Sequence, residues 1–302
     1  MSTISISHLR KTYGQFVAVD DLSIEIPTGT VYGLLGPNGA GKTSTFKCML
    51  GLANCGLGQI AYDGQPLAPA TFERIAYVPE RAVLYDHLTV AEHFEMTRRA
   101  FKKFDVKRAT ELVGQFGVDP RKRARALSKG MKTATMVAIA FAREPDFLIL
   151  DEPTSGLDPV NQRSVLNLII NEATRGCTIL FSSHQIGQVE RAAERIAILQ
   201  NGRLALEGAV DDLKADRKIV EGILPSEDYS VNGFAADRRI ARVDKQGRIL
   251  RLTVVHEPDE IANQLAATGA QGVRVVDLNL EDIFIGAVAP DTSNAVVVEG
   301  AN

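Results

Sequence analysis

The 302-residue chain contains no tryptophan, only three cysteines and an aromatic share of 6%. Cys48, Cys55 and Cys177 have no spacing typical of a metal or disulfide site, so we expect free, reduced thiols. No stretch approaches the roughly 18 to 20 apolar residues that span a bilayer, and no apolar run follows the first charges, which argues against a signal peptide. If the protein serves a membrane, we expect it to do so through another chain.

An excess of charge of one sign is also lacking. The chain has 34 basic and 37 acidic residues, a net charge of −3. This balance gives no support for binding to nucleic acid or to an anionic membrane. The composition, 45% hydrophobic and 24% charged, is that of a globular protein with a sizeable core and excludes disordered, collagen-like and disulfide-stapled chains.

Apolar patterning predicts the elements of the first half. Strands are expected at residues 2–10, 17–27 and 30–35, with a hairpin-like pair at 58–62 and 74–78. A helix is expected from Lys42 to about Leu50. Helical spacing in residues 89–117 then predicts a helical insert over about 85–125. Within it, the apolar side chains form either a docking groove or the insert's own core; they are Phe94, Met96, Phe101 and Phe104.

Helices and apolar strands alternate from Ser128 onward. Helices are expected at about 128–143, 159–174 and 185–194, and strands at 147–150, 178–182, 195–200 and 203–207. Continuous apolar strands between helices are typical of a parallel sheet covered on both faces, so this part of the chain is predicted to have an α/β fold.

The pattern changes again beyond about Arg217. A hairpin over 239–255, a helix over 258–268 and a strand over 273–278 predict a small α+β accessory domain. The expected division is therefore a first domain at 1–216, an accessory domain at 217–288 and a flexible tail at 289–302.

The segment GPNGAGKT, residues 36–43, fits the pattern G-x-x-x-x-G-K-[ST] between a predicted strand and a predicted helix. Glycines let successive N–H groups converge on phosphate oxygens, and the helix N-terminus adds its positive end. Lys42 is positioned to reach the β- and γ-phosphates and the Thr43 hydroxyl to ligate Mg²⁺. The motif indicates a phosphate loop of the Walker A type.

The segment FLILDEP, residues 147–153, is an apolar strand that ends in two carboxylates. Such a strand is the expected partner of a phosphate loop. Asp151 at its end would hold Mg²⁺ through water, and Glu152 would polarise the water that attacks the γ-phosphate. The two motifs together predict a nucleoside triphosphatase.

Several weaker motifs follow in a fixed order: Tyr13, Tyr77–Glu80, Leu127–Met131, Ser155–Asp158 and Ser182–His184. With this order and spacing, the chain resembles the ATP-binding subunit of an ABC transporter over about residues 1–215. The resemblance implies a P-loop core of the ABC-cassette type, with an antiparallel β subdomain and the helical insert. It also implies two subunits facing each other head to tail, with two ATP molecules between them.

The resemblance assigns roles to residues at matching positions. Tyr13 would stack on adenine, and Glu80 would contact Mg²⁺ together with Thr43 and Asp151. The phosphates would be wrapped by nine consecutive residues: Gly36, Pro37, Asn38, Gly39, Ala40, Gly41, Lys42, Thr43 and Ser44.

Other residues are implied to work with the opposite subunit or with the attacking water. Ser128 and Gly130 of the signature stretch would bind the γ-phosphate held by the partner. Asp158 would communicate across the dimer. His184 would contact the γ-phosphate and help to hold water and Glu152 in place.

Two positions depart from the family's usual residues. Glu80 stands where glutamine is usual, and a carboxylate is a good ligand for a hard cation. The signature reads Leu-Ser-Lys-Gly-Met instead of Leu-Ser-Gly-Gly-Gln, so Lys129 adds a cation and Met131 removes an amide. Both changes, and the Leu-Glu-Asp-Ile-Phe stretch at 280–284, resemble a bacterial exporter subgroup with a single cassette and a short C-terminal extension.

The resulting prediction is an ATPase subunit that binds ATP and Mg²⁺ and powers transport, in the export direction, by dimer closure and opening. Its expected partners are a second copy or a paralogous subunit and separate integral membrane chains, with no nucleic acid. It would lie peripherally on the cytoplasmic face of the inner (plasma) membrane. The alternative is a non-transport ABC ATPase that acts on nucleic acid or ribosomes, but such proteins typically carry two cassettes, a long coiled coil or zinc-binding insertions.

Overall fold

The computed structural model of the chain describes residues 3–215, 217–288 and 297–298. The chain divides into two compact units between Glu207 and Gly208. Apart from residues 297–298, the tail expected at 289–302 lies outside the described residues. In the described part of the chain, no helix has both the length and the apolar character needed to cross a membrane.

The first unit contains an antiparallel sheet, a parallel sheet and a layer of helices. Its strands are β1 (Ile4–Tyr13), β2 (Phe16–Ile26), β3 (Val31–Leu35), β4 (Leu57–Tyr62), β5 (Gln65–Pro66), β6 (Ile75–Val78), β7 (Phe147–Asp151), β8 (Thr178–Ser182), β9 (Arg195–Gln200) and β10 (Arg203–Ala209), which runs across the division. Its helices are α1 (Lys42–Met49), α2 (Pro69–Arg74), α3 (Val90–Ala100), α4 (Val106–Gln115), α5 (Lys129–Phe141), α6 (Pro159–Thr174) and α7 (Ile186–Ala192).

The larger sheet has the strand order β10-β9-β3-β8-β7-β6. Strands β9, β3, β8, β7 and β6 pair in parallel. Every residue of β3, β7 and β8 is buried, which explains their continuous apolar sequences. The α/β prediction is confirmed, and the parallel arrangement brings the carboxyl ends of β3, β6, β7 and β8 to one edge of the sheet.

The smaller sheet has the order β2-β1-β4-β5. The expected hairpin-like pairing of 58–62 with 74–78 is wrong. Strand β4 pairs with β1, where Tyr62 lies opposite Ile4, and β6 lies beside β7 in the parallel sheet, where Ile75 is next to Phe147. The burial patterns give the reason: β6 is almost entirely buried, whereas the first half of β4 is exposed.

The helical insert is built from α3 and α4, which pack against each other and against α5. The N-terminus of α3 has a capping box in which Thr89 and Glu92 exchange hydrogen bonds. Phe94 and Phe104 are buried, and their ring centroids are 6.2 Å apart. These two aromatic residues therefore form part of the insert's own core, whereas Met96 is 42% exposed.

The second unit is a five-stranded sheet of order β14-β11-β13-β12-β15. Its elements are α8 (Val210–Ala215), β11 (Lys218–Ile223), α9 (Asn232–Ala235), β12 (Ile240–Gln246), β13 (Ile249–Val254), α10 (Pro258–Ala267), β14 (Gln271–Asp277), α11 (Leu280–Val288) and β15 (Val297–Val298). One face of the sheet packs against α10 around Val220, Leu252 and Leu265. The α+β architecture of this part is confirmed, although the sequence did not reveal β11 or α11.

Candidate active site

The loop between β3 and α1 has a backbone that requires glycine at two positions. Gly36 and Gly41 have φ angles of 152° and 104°. A Cβ on Gly36 would lie 2.5 Å from the carbonyl oxygen of Leu199, and one on Gly41 would lie 2.4 Å from that of Ala18. The loop can therefore fold tightly onto its neighbours only because these residues have no side chain.

Helix α1 begins at Lys42, directly after this loop. Its first N–H groups have no carbonyl one turn earlier, and the helix dipole adds partial positive charge at this end. The Lys42 Nζ donates to the carbonyl oxygens of Gly36, at 2.6 Å, and Pro37, at 3.2 Å. These features form an anion-binding site of the kind that holds phosphates.

The Lys42 ammonium is partly desolvated. Burial lowers its pKa, while the carboxylates of Glu152, Asp151 and Glu80 oppose that effect. A cation in this position attracts a polyanion strongly because little water screens it. Its hydrogen bonds to the loop carbonyls keep the ammonium ordered.

The Asp151 carboxylate connects two strands of the parallel sheet with the first turn of α1. It lies at the end of β7 and is 2% exposed. Its Oδ2 accepts a hydrogen bond from the Thr43 hydroxyl at 2.8 Å, and its Oδ1 accepts one from the Ser182 hydroxyl at 2.7 Å. The first turn of α1 and the ends of β7 and β8 are therefore fixed relative to one another.

Glu152 turns its side chain into the same cavity. Its φ of 53° is unusual for a residue other than glycine and stores about 1–3 kcal/mol of strain. Its N–H donates to the Ser182 hydroxyl at 3.2 Å, and its Oε2 lies 2.7 Å from the Nδ1 of His184. Burial raises the pKa of Glu152, while His184 and Lys42 act in the opposite direction. A carboxylate of raised pKa is a stronger proton acceptor.

Oxygen ligands suitable for a small hard cation lie next to the phosphate loop. The Thr43 hydroxyl and the Asp151 carboxylate are in direct contact, and Glu80 lines the same cavity. Among the described residues, no group of three or more His, Cys, Asp or Glu side chains forms a metal site. Mg²⁺ in nucleotide sites takes one or two carboxylates plus water and phosphate oxygens, so the residues present fit this ion.

The cavity has a volume of about 520 Å³, within the usual range for small-molecule sites. It brings together most of the residues expected from the sequence, namely residues 38–44, Glu80, Asp151, Glu152 and His184. Gly36 and Pro37 act through their carbonyl groups, which hold Lys42.

The aromatic residue in the cavity wall is Phe16, for which the sequence predicts no role. Tyr13 lies opposite Phe16 across the turn between β1 and β2, and the ammonium of Lys11 is 4.6 Å from the Tyr13 ring centroid. The two aromatic side chains are 46% and 62% exposed. The sequence signal that could have identified Phe16 is its aromatic side chain, three residues after Tyr13.

Ser128, Gly130 and Asp158 are not part of the cavity wall formed by the described residues of this chain. Ser128 is the N-cap of α5, where its hydroxyl accepts from the N–H of Met131 at 3.2 Å. Asp158 is the N-cap of α6, and hydrogen bonds led by that from the Asn161 N–H lower its pKa. Both helix ends are exposed at their caps.

Two serines, the first residues of the Ser155–Asp158 and Ser182–His184 motifs, take part in the site although the sequence predicts no role for either of them. The Ser182 hydroxyl donates to Asp151 and accepts from the Glu152 N–H. Ser155 lines the cavity, and its N–H donates to the Glu152 carbonyl at 3.0 Å. Only their positions next to the acidic pair in space reveal these roles.

A family model described as ABC transporter matches residues 19–155. The chain is 30% identical over 285 residues to the ABC transporter ATP-binding protein YtrB of Bacillus subtilis (strain 168), covering 93% of this chain and 97% of the relative. It is 32% identical over 299 residues to the Nod factor export ATP-binding protein I of Burkholderia orbicola (strain AU 1054), covering 94% and 96%. A solved structure of an ATP-binding subunit of an ABC transporter is 31% identical, with a TM-score of 0.65, over 70% of this chain and 92% of the other.

Proposed function

The chain belongs to the family of ABC transporter ATP-binding proteins, whose cassettes bind and hydrolyse ATP to drive transport, and on that premise we propose how its residues perform the reaction. The observation that carries the proposal is the Glu152–His184 pair, which faces Lys42 across one cavity. The cavity thus places a proton acceptor, Glu152, next to an anion-binding loop. Hydrolysis of a nucleoside triphosphate needs both.

Glu152 is the general base. A water molecule attacks the γ-phosphorus and gives up a proton to the Glu152 carboxylate. The bond from the γ-phosphorus to the bridging oxygen breaks, and ADP leaves with the electron pair. His184 holds the carboxylate by the contact at 2.7 Å, and Lys42 and the N-terminus of α1 neutralise charge on the phosphates.

Thr43, Asp151 and Glu80 would hold the Mg²⁺ ion that accompanies ATP. When bound there, the ion would supply positive charge that offsets the charge developing on the phosphate oxygens. Hydrogen bonds from the hydroxyl groups of Thr43 and Ser182 orient Asp151 for this role. The adenine stacks on the aromatic hairpin that carries Tyr13 and Phe16.

A second copy, or a paralogous subunit, completes each site. The exposed cap of α5 at Ser128, with the buried Gly130 two residues further on, and the exposed cap of α6 at Asp158 are not part of the wall of the chain's own cavity. The N-terminus of α5, with its partial positive charge, suits a phosphate brought by a partner. ATP, with about four negative charges, then holds two complementary faces together, and loss of phosphate releases them.

The subunit works on a membrane. It sits peripherally on the cytoplasmic face of the inner (plasma) membrane and drives export through separate integral membrane chains that dock on the helical insert. The name of the Burkholderia relative, a Nod factor export protein matched over nearly its whole length, supports the direction. The transported compound is selected by the membrane chains.

The test is co-purification from native membranes. A tagged copy is extracted with detergent, and the hydrophobic chains that accompany it are identified. The expected result is an integral membrane chain in stoichiometric amount, together with ATPase activity. Recovery of ribosomal particles or nucleic acid in place of a membrane chain would contradict the proposal.

A further inference from the structure

Lys129 occupies a position that is unfavourable for a cation. It is the first residue of α5, where the partial positive charge of the helix dipole repels a nearby lysine. Its side chain turns away from the helix, and its Nζ donates to the hydroxyl of Ser155 at 2.9 Å. The hydrogen bond to Ser155 therefore compensates for the unfavourable position of the Lys129 charge.

The N-terminal part of α5 also contacts the segment Ser155–Gly156 of the same chain at further points. The Thr133 hydroxyl donates to the Ser155 carbonyl oxygen at 3.1 Å. A Cβ on Gly130 would lie 2.2 Å from the Gly156 carbonyl oxygen, so helix and loop touch backbone to backbone. The methylene groups of Lys129 lie over Gly156, where a Cβ would be 3.2 Å from both Cγ and Cδ.

The Lys129–Ser155 contact connects α5 to the chain's own nucleotide cavity. Ser155 lines that cavity, and its N–H donates to the carbonyl oxygen of Glu152, the general base. Three residues further on, Asp158 caps α6. The Lys129–Ser155 hydrogen bond therefore lies between the signature helix and the loop that leads from the base to the α6 cap.

We infer that Lys129 is a positioning residue that holds Ser155. Through this contact Lys129 couples the chain's own cavity to the N-terminal surface of α5, which the chain presents to the partner's nucleotide. Occupancy of one site moves the loop that carries Ser155. The Lys129 ammonium transmits that movement to the N-terminus of α5, which completes the other site. The inference rests on the nucleotide-sandwich dimer proposed above.

The competing role for Lys129 is direct contact with the phosphate of the partner's ATP. The two roles differ in their dependence on Ser155. A positioning residue acts through the serine hydroxyl, so removing both partners has no larger effect than removing either one. A residue that contacts phosphate directly acts whether or not the hydroxyl is present.

A double-mutant cycle on the purified full-length chain separates them. The variants are Lys129→Met, Ser155→Ala and the double variant, with Lys129→Arg as the conservative replacement. Methionine keeps most of the aliphatic stem over Gly156, and the side chain of Lys129 is exposed, so the fold is preserved. Lys132→Met is the matched control, because it removes a cation from the same helix that contacts Asp86 instead of Ser155.

Each single variant is expected to lower kcat by about three- to tenfold and to move the Hill coefficient for ATP toward about 1, because one charge-assisted hydrogen bond is lost. Binding of ATP to the chain should change by less than about twofold, since no phosphate contact within the chain is lost. The double variant should match the single variants, Lys129→Arg should recover most of the activity, and Lys132→Met should behave as the parent.

Two results would overturn the inference. If Ser155→Ala hydrolyses ATP as the parent does while Lys129→Met is impaired, the lysine acts on phosphate and not through the serine. Multiplying effects in the double variant would exclude coupling in the same way. A parent chain that hydrolyses ATP without ever pairing is a different failure, because it would remove the dimer proposal and the inference together.

Discussion

The Oε2 atom of Glu152 and the Nδ1 atom of His184 are 2.7 Å apart, although the two residues follow different strands. Strands β7 and β8 are neighbours in the parallel sheet, so the residues after them meet at its carboxyl edge. The Glu152 side chain is 12% exposed and that of His184 is 60% exposed. The histidine therefore contacts a largely buried carboxylate while remaining open to solvent.

The pH dependence of hydrolysis should report this contact. Burial raises the pKa of Glu152 above its ordinary value of 4.5, and a general base must be deprotonated, so kcat/KM should fall as the pH drops through the raised pKa. His184 lowers that pKa. In His184→Ala the pKa should rise further, and the acid limb of the kcat/KM profile should move to higher pH.

The exposed His256 in the second unit provides the control for this titration. His256→Ala should keep the acid limb of the parent. An unchanged limb in His184→Ala would show that Glu152 does not titrate in the profile, and would contradict its role as the base.

Replacement of the base should separate binding from hydrolysis. Glu152→Gln keeps the shape of the side chain but removes the proton acceptor, so hydrolysis should fall by about 100-fold or more. ATP binding should remain, and the chain should accumulate as a closed dimer. Size-exclusion chromatography with ATP and Mg²⁺ measures this.

Lys42→Ala is the matched control for that experiment, since it removes the central cation of the phosphate loop and should abolish ATP binding. It should elute as a monomer under the same conditions. Strictly monomeric elution of Glu152→Gln, or hydrolysis as fast as in the parent, would count against the proposed site.

Ser182→Ala should lower catalysis without changing the residues that contact ATP. The substitution removes the hydrogen bond to Asp151 and the acceptor for the Glu152 N–H, so we expect kcat to fall about tenfold. An unpaired buried carboxylate oxygen should also destabilise the protein by about 1–3 kcal/mol. Steady-state kinetics and urea unfolding measure the two effects.

The neighbouring Ser183 supplies the comparison. It is equally buried, but its hydroxyl bonds to Gln188 and to the N–H of Gln185. Ser183→Ala should lose stability with a smaller change in kcat. Equal losses of kcat in the two variants would mean that general destabilisation, and not the orientation of the carboxylates, explains the result.

A buried ion pair connects the helical insert to the core, far from the phosphate loop. Arg108 on α4 contacts the carboxylate of Glu172 on α6, and these side chains are 17% and 6% exposed. Arg108→Met leaves Glu172 with the more exposed Arg175 as its partner. The variant should be less stable by about 2–4 kcal/mol, seen as a lower midpoint of urea unfolding.

ATP affinity should be unchanged in Arg108→Met, because Glu172 lies near the amino end of β8, where its carbonyl accepts from the Cys177 N–H. The control is Lys107→Met, which breaks an exposed pair with Glu111 and should alter stability by less than about 0.5 kcal/mol. A stability loss in Lys107→Met equal to that in Arg108→Met would refute a specific role for the buried pair.

Contacts between segments that are distant in sequence were the least predictable part of the fold. Strand β6 was expected to pair with β4, which precedes it, but lies instead beside β7, about 70 residues further along. Strand β11, which lies between β14 and β13 in the second unit's sheet, is not predicted by the sequence, because its short segment Lys218–Ile223 alternates too little to stand out. Burial in the whole fold decides such pairings, and no local pattern records it.

The sequence by itself determined the phosphate loop, the acidic pair and the α/β alternation, because the chemistry of each depends on a few consecutive residues. A glycine-rich turn before a helix, or an apolar strand ending in carboxylates, is set by short-range sterics and hydrogen bonding. The family resemblance, and no local pattern, implied the contact of His184 with Glu152. Only the tertiary structure put Phe16 in the cavity wall and joined Lys129 to Ser155. Those contacts depend on which strands and helices become neighbours, and that choice follows from burial of apolar surface over the whole unit.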